Sequence, residues 1–276
     1  MNQLKTFLLL AVLTVLLVLA GEALLGPGGL YIGLLIALAV NGFAYWYSDA
    51  LAVKMTKSQP VSEAQAPELY RAVKKLSERA EVPMPGVYVS PSPQPNAFAA
   101  GRNPAHAVIS VTRGALDLLD SRELEGVLAH EMAHIKNRDI LISSVAAVLA
   151  GALAFLARMA MWSSLFGGGR GRNSSAGALR LVLIIFAPLA AMLVRSAISR
   201  SREYIADASG AEISGNPEGL ASALESMHRR AEASPMDVNQ AAAHMFILNP
   251  LSAGGFNRLF STHPPTQERI KRLRSM

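Results

Sequence analysis

The chain has 276 residues, which is enough for one or two domains. Of these residues 51% are hydrophobic and 17% are charged, and because soluble proteins have roughly 25% charged residues, the composition favours a membrane protein. The absence of cysteine excludes disulfides and cysteine-ligated metal sites, so a zinc site would have to use histidine and carboxylate ligands. The net charge of +6 comes from scattered Lys and Arg, which favours cations beside a membrane over nucleic-acid binding.

The N-terminal segment contains two apolar runs. Residues 7–21 are apolar apart from Thr14, and residues 30–47 follow after a Gly-Pro turn at residues 26–29. No cleavage site separates the two runs, so we expect two uncleaved membrane helices rather than a signal peptide. The lysines near this pair all lie outside the turn: Lys5, Lys54 and Lys57. By the positive-inside rule, the turn lies outside the cell and both ends of the pair face the cytoplasm.

The next segment predicts one amphipathic helix over residues 63–80 and a small β-sheet. Its three predicted strands are short: residues 86–90, 96–99 and 107–111. The turn at residues 101–104 fits a hairpin connection between the last two. Prolines precede the middle strand, which is therefore expected to be edge-like.

Residues 122–135 predict a further helix, with Asp120 as its N-cap and Glu123 completing a capping box. This helix carries the motif His130-Glu131-x-x-His134. In a helix the two histidines lie one turn apart on the same face, so both imidazoles can reach one Zn²⁺ ion. Glu131 points about 100° away from His130 around the helix, which suits a general base acting on water at the metal.

The motif is specific. From this composition it is expected by chance in fewer than roughly one chain in a hundred of this length. The alternative is a pair of ordinary surface histidines beside a solvated glutamate, which the low false-positive rate of the motif disfavours.

Two more apolar runs follow the motif helix. Residues 140–157 begin where that helix ends, so one long helix is expected to carry the metal site out of the bilayer. Residues 181–194 form the second run, which is short for a span because Arg180 and Arg195 bound it. We expect it to span, and the alternative is that the two runs form a shallow hairpin.

A catalytic zinc ion usually has three protein ligands and one open position, so a third ligand is required. Asn137 and Ile140 exclude a third histidine close behind the motif. The residues alone leave six candidates: Asp139, Glu203, Asp207, Glu212, His244 and His263. Glu203 lies on a predicted helix over residues 196–210, with Asp207 one turn later, so Glu203 could bind the metal while Asp207 orients a histidine. The alternative for this pair is a solvated helix face.

Taken in order, the motifs of the chain resemble those of the HtpX-type membrane metallopeptidases, bacterial relatives of the CaaX prenyl endoprotease. The resemblance rests on the two apolar pairs and on four motifs: Pro-Asn-Ala-Phe-Ala at 95–99, the stretch 130–139, Ser-Arg-Glu-Tyr-Ile-Ala-Asp at 201–207 and Thr-His-Pro-Pro at 262–265. It implies that Glu203 is the third zinc ligand. Asp139 and Asp207 are then expected to support the ligands from behind.

The resemblance also assigns roles near the metal. It implies that the edge strand formed by Asn96, Ala97, Phe98 and Ala99 pairs with an extended substrate. His263 matches a family histidine that assists the transition state, and its alternative is a loop histidine held only by prolines. His244 is expected to be a structural histidine.

The expected fold is therefore a mostly α-helical integral membrane protein, with about four transmembrane helices and a cytosolic, zincin-like α+β catalytic domain that contains a small β-sheet. Residues 1–57 would form an N-terminal transmembrane hairpin. Residues 58–139 and 196–276 would form the zinc protease domain, with a second transmembrane hairpin, residues 140–195, inserted in it.

The expected function is that of a zinc endopeptidase with one Zn²⁺ per chain, bound by two motif histidines and a distal glutamate as in gluzincins. It would be a multi-pass protein of the bacterial inner membrane whose catalytic domain faces the cytoplasm. The resemblance implies that it cleaves misfolded or damaged membrane proteins as part of quality control in the stress response. Its partners would be unfolded or membrane protein substrates, bound as an extended strand, and the lipid bilayer, with no nucleic acid.

Two other functions were weighed. An intramembrane protease of the site-2 type would hold the motif inside the bilayer, where the charged residues that crowd it here are costly. A non-catalytic zinc-binding membrane scaffold or transporter is the second alternative, but none of the four apolar runs carries the central charge that marks a transport path.

Overall fold

The computed structural model describes residues 2–26, 28–166, 182, 200–233, 245–248 and 264–276. The chain divides into two compact units. The first comprises Met1–Trp46 and Val145–Ala197, and the second comprises Tyr47–Ser144 and Ile198–Met276. The domain boundaries expected from the sequence remain a proposal.

The first unit contains an antiparallel helical hairpin, α1 (Asn2–Leu25) and α2 (Gly29–Trp46). The two helices approach so closely that a Cβ added at Gly21 would lie 2.4 Å from the Gly29 carbonyl oxygen. Between them, the Asn41 side chain donates hydrogen bonds to Thr14 Oγ1 at 2.7 Å and to the Leu10 carbonyl at 3.3 Å. Small residues and interhelical hydrogen bonds are what hold helices together in lipid, where the hydrophobic effect is absent.

Three helical segments of the described residues are long and apolar enough to cross a membrane: Leu4–Leu25, Gly29–Trp46 and Ile140–Arg158. They confirm three of the expected spans. The fourth, residues 181–194, lies outside the described residues except for Val182.

The expectation of one long helix from the motif into the third span is wrong. The motif helix α6 (Ser121–Lys136) and the helix α7 (Ile140–Phe166) are separate. Arg138 between them has a φ of 56°, a left-handed conformation that ends a helix and redirects the chain.

The second unit contains a four-stranded sheet in the order β1-β2-β4-β3. Its strands are β1 (Gln59–Pro60), β2 (Gly86–Ser90), β3 (Ala97–Asn103) and β4 (His106–Thr112). β2 is parallel to β4, and both the β1–β2 and β3–β4 pairs are antiparallel. The three predicted strands are thus present, and β3 lies at the edge of the sheet as expected. The connection between β3 and β4 is a hairpin, but its turn is shorter than the predicted residues 101–104, because β3 continues to Asn103.

The same unit contains the helices α3 (Ser48–Met55), α4 (Pro67–Ala80), α5 (Arg113–Leu118), α6, α8 (Arg200–Ser214), α9 (Pro217–Ala233) and α10 (Thr266–Leu273). α6 is central, since Val127, Leu128, Met132 and Ile135 are completely buried. Burying each such side chain contributes about 1.5–3 kcal/mol, which fixes the rotation of the motif helix in the core.

Candidate metal centre

The two motif histidines lie side by side on α6. The helix begins with the predicted capping box, in which the Asp120 side chain accepts from the backbone N–H groups of Arg122 and Glu123. One turn apart, the imidazoles of His130 and His134 place their Nε2 atoms 3.2 Å from each other. Two nitrogens bound to a tetrahedral zinc ion at about 2.0–2.1 Å are roughly 3.3 Å apart. The spacing of the imidazoles therefore fits a shared metal ion.

The third member of the site is Glu203 on α8. Its carboxylate oxygens lie 3.6 Å from His134 Nε2 and 3.8 Å from His130 Nε2. Among the described residues, His130, His134 and Glu203 form the one group of three or more His, Asp or Glu side chains with metal-ligand spacing, with their ligand atoms within 4.8 Å of one another. Two imidazoles and one carboxylate form a typical donor set for a catalytic zinc ion with an open position.

Three of the other ligand candidates from the sequence are described, and none of them belongs to this group. Glu212 is exposed on α8, whereas Asp139 and Asp207 each lie behind one of the imidazoles. His244 and His263 lie outside the described residues.

A close approach of two helices brings Glu203 to the imidazoles. Gly210 of α8 packs against α6, and a Cβ at this position would meet the His130 backbone nitrogen at 2.9 Å. A side chain here would push α8 away from the motif helix. The glycine thus allows the short separation across which the carboxylate reaches the imidazoles.

His130 is oriented by a chain of buried polar groups. Its Nδ1 atom lies 3.0 Å from Asp207 Oδ1. Asp207 in turn accepts two hydrogen bonds from the guanidinium of Arg269, from Nε at 2.9 Å and from Nη2 at 2.7 Å. When Nδ1 donates to Asp207, the lone pair of Nε2 points to the metal position, as a ligand imidazole requires.

His134 has a similar support from Asp139. The distance from His134 Nδ1 to Asp139 Oδ2 is 3.3 Å, and Arg202 pairs with Asp139 Oδ1 at 2.9 Å. The left-handed turn at Arg138 makes this possible, because it folds Asp139 back until its N–H donates to the His134 carbonyl at 2.9 Å. Both carboxylates that were expected to support the histidines, Asp139 and Asp207, therefore lie beside an imidazole.

Burial and neighbouring charges affect the pKa values of the two motif histidines in opposite directions. It lowers the pKa of His130 to about 4, with the Arg269 cation acting in the same direction, so this imidazole is neutral at pH 7. Burial also acts to lower the pKa of His134, but the hydrogen bond to Asp139 and the negative charge of Glu203 outweigh it and raise that pKa. A metal ion competes with the proton for the same lone pairs.

Arg269 keeps Asp207 ionised. Burial alone would raise the pKa of Asp207, but the charge and hydrogen bonds of Arg269 outweigh it and lower the pKa to about 2. The same charge pairing raises the pKa of Arg269 further above its ordinary value, against the opposing effect of burial. The pair therefore stays charged at neutral pH.

Glu131 is a buried carboxylate that interacts with His134, with Glu203 and with the backbone of the edge strand β3. Burial raises its pKa to about 7, and its carboxylate accepts a hydrogen bond from the backbone of Ala99 in β3. A carboxylate with a pKa near 7 is suited to accept and return a proton at neutral pH.

The strand residues proposed for substrate binding have internal partners here. The Asn96 side chain and the Ala97 carbonyl bond to the segment Met245–Leu248, and the Phe98 ring packs edge-to-face against Phe246. Ala97–Ala99 form the first part of β3, next to Glu131.

Sequence reasoning missed Arg269, which belongs to none of the motifs described above. It is completely buried, lies 3.7 Å from Glu203 Oε2 and contacts the imidazole of His130 at 3.4 Å. One signal could have suggested it: Ile270 and Leu273 define the apolar face of α10, and Arg269 adjoins that face.

Comparison with known proteins places the chain among membrane proteases. A model of peptidase family M48 matches residues 63–276. A protease HtpX homolog from Salinibacter ruber is 56% identical over 278 residues, which cover 100% of this chain and 98% of the relative. Another from Pelotomaculum thermopropionicum is 53% identical over 279 residues, covering 100% of this chain and 99% of the relative.

Comparison with a solved structure shows a similar fold. The crystal structure of S. mikatae Ste24p matches with a TM-score of 0.54 at 18% identity, over 88% of this chain and 57% of that one. At this identity the match shows a similar fold alone. It agrees with the expected membrane metalloprotease architecture.

Proposed function

The chain belongs to peptidase family M48, and from that membership we propose that His130, His134 and Glu203 hold one zinc ion and that Glu131 is the general base. The protein is a membrane-anchored metalloprotease. The observation that carries the assignment of residues is the convergence of two imidazoles and one carboxylate beside a buried glutamate.

The mechanism assigns a separate task to each side chain. When bound, zinc supplies Lewis-acid chemistry, because it polarises the scissile carbonyl and lowers the pKa of water to about 7. Glu131 takes a proton from the attacking water and passes it to the leaving amine. Asp207 and Asp139 hold His130 and His134 in the orientation that turns Nε2 towards the metal.

Substrate enters this proposal as an extended strand. β3 is an edge strand, and edge strands can pair with an added peptide through main-chain hydrogen bonds. Asn96–Ala99 would then hold the backbone of the substrate near Glu131. Because such pairing reads backbone rather than side chains, it suits the broad cleavage of misfolded or damaged membrane proteins.

The alternative of a non-catalytic zinc scaffold is disfavoured. Structural zinc sites are usually closed by four protein ligands. The group of ligand side chains found among the described residues has three members, which leaves a position for water.

Metal removal tests the proposal. The purified full chain in detergent should cleave an unfolded membrane polypeptide, lose that activity to background after treatment with a zinc chelator, and regain it on addition of one equivalent of Zn²⁺. Mg²⁺ should not restore it, since magnesium prefers oxygen ligands in an octahedral site. Cleavage that survives complete removal of metal would contradict the assignment.

We also propose that the catalytic unit faces the cytoplasm from a bacterial inner membrane. The lysines at the ends of the first helical pair support this orientation. A fluorescent protein fused after Met276 should fluoresce, and alkaline phosphatase fused at the same point should be inactive. Active phosphatase with a dark fluorescent fusion would reverse the topology.

A further inference from the structure

A short segment of the chain lies on the edge strand that substrate is proposed to use. We call Met245–Leu248 the strap. The Ile247 N–H donates to the Ala97 carbonyl at 3.0 Å, a main-chain hydrogen bond of the kind that joins neighbouring strands. The Asn96 side chain accepts from the Leu248 N–H at 3.2 Å and donates to the Leu248 carbonyl at 2.9 Å. The strap thus occupies the Ala97 carbonyl, a main-chain group with which an added peptide would pair, and is held in addition by the Asn96 side chain.

Side chains anchor the strap as well. The rings of Phe246 and Phe98 meet edge-to-face with their centroids 5.3 Å apart. All four strap residues are buried. An aromatic pair of this geometry contributes about 0.5–1.5 kcal/mol beyond the area it buries, so the strap has a specific seat rather than a loose contact.

The strap is also connected to the metal centre. The Ile247 carbonyl accepts a hydrogen bond from Arg269 Nη1 at 3.2 Å. The same guanidinium holds Asp207, which contacts the ligand His130. Displacing the strap would therefore free one donor of a group that supports a metal ligand.

With the strap in place, the main-chain groups nearest the proposed base are in use. The Ala97 carbonyl bonds to the strap, and the backbone of Ala99 bonds to Glu131. Ala97 is completely buried, and Ala99 and Glu131 are 6% and 3% exposed. A peptide cannot pair with this stretch of β3 while these contacts persist.

We infer that the strap is an autoinhibitory contact, which an unfolded polypeptide substrate must displace from Asn96 and Ala97 before its own backbone pairs with β3. The inference rests on the proposed function, because it needs substrate to bind as a strand at this edge. The strap and the substrate then compete for the same hydrogen bonds, and substrate binding shifts the chain towards the state without the strap contact. The opposite view is that the strap is a permanent part of the sheet.

Thiol labelling separates these two views. Because the chain has no cysteine, Ile247→Cys introduces a single thiol, and the backbone N–H of the strap is retained. The variant is made in the Glu131→Gln background, so that substrate binds without being cleaved, and is labelled with a maleimide as the full chain in detergent. Casein, an unfolded polypeptide, is the probe. We expect casein to speed labelling by about tenfold or more, as local opening exposes the thiol.

The control is Val73→Cys in the same background, a buried position on α4. Its labelling should not respond to casein, because it becomes accessible only when the whole unit unfolds. Labelling of Cys at position 247 that is unchanged by casein, while the parent chain cleaves casein, would overturn the strap and leave the proposed function intact. A parent chain that cleaves no polypeptide would instead overturn the proposed function.

A second variant changes the rate of casein cleavage in opposite directions, depending on whether the strap inhibits or supports catalysis. Phe246→Ala removes the aromatic anchor and leaves every main-chain hydrogen bond available. An autoinhibitory strap predicts an initial rate of casein cleavage several-fold above that of the parent chain. A lower rate, with metal content and thermal unfolding unchanged, would instead mean that the strap supports catalysis.

Discussion

Glu131→Gln should abolish peptide cleavage while the metal stays bound. Glutamine keeps the size of the side chain and can occupy the same buried position, but it cannot accept the proton of the attacking water. General base catalysis contributes about 10²–10⁴-fold, so the rate should fall by at least that factor. The measurement is the cleavage rate of an unfolded membrane polypeptide, together with zinc content by atomic spectroscopy.

Glu125→Gln is the matched control. Glu125 lies on the same helix, but it pairs at the surface with Lys75 and Arg79 and has no contact with the ligands. Its cleavage rate should stay close to that of the parent chain. Retained cleavage in Glu131→Gln would remove the proposed base, and loss of zinc in that variant would give Glu131 a structural part instead.

Arg269→Met should destabilise the catalytic unit by about 3–5 kcal/mol, the usual cost of removing one partner of a buried ion pair. Methionine fills much of the same volume, but Asp207 is then left buried without the cation that lowers its pKa. Because Asp207 orients His130, metal affinity should also fall, by about 10–100-fold. Denaturant unfolding and competitive zinc titration measure the two effects.

Two further variants show whether the lower stability comes from the unpaired charge of Asp207. Arg272→Met removes a cation from the same helix, but Arg272 is half-exposed, pairs with Glu268 and lies over the Tyr204 ring, so the unfolding midpoint should shift much less than in Arg269→Met. The double variant Asp207→Asn/Arg269→Met should be more stable than Arg269→Met alone, since position 207 then no longer holds a buried charge without its partner. If Arg269→Met unfolds at the same denaturant concentration as the parent chain, Arg269 does not support the site.

The same pair predicts how stability depends on pH. The pKa of Asp207 is lowered in the folded chain, so its contribution to stability is present above its ordinary pKa near 3.8 and is lost as pH falls towards 2. The contribution should be absent from Asp207→Asn.

The motif helix α6 could be predicted because the sequence patterns that indicate it all lie within the helix or directly before it. The capping box at Asp120, the apolar spacing of the helix and the His130–His134 pair are all read within a few turns. The sheet was predictable for the same reason, since β2 and β4 are short apolar runs bounded by turn residues.

Contacts between distant segments were harder to predict. Nothing near Glu203 shows that α8 packs on α6 through Gly210, so the third ligand stayed one of six candidates until the resemblance was considered. Arg269 reads as one more cation of a basic helix, and its burial depends on Asp207 from another element. The break at Arg138 was missed because a left-handed conformation is uncommon for arginine. The strap has no periodic pattern at all.

Zinc content decides whether Glu203 completes a metal site with His130 and His134. The parent chain should hold one zinc ion, and Glu203→Ala should hold none after dialysis against a weak chelator. Glu212→Ala, an exposed carboxylate on the same helix, should retain the ion. Full zinc occupancy in Glu203→Ala would contradict the account.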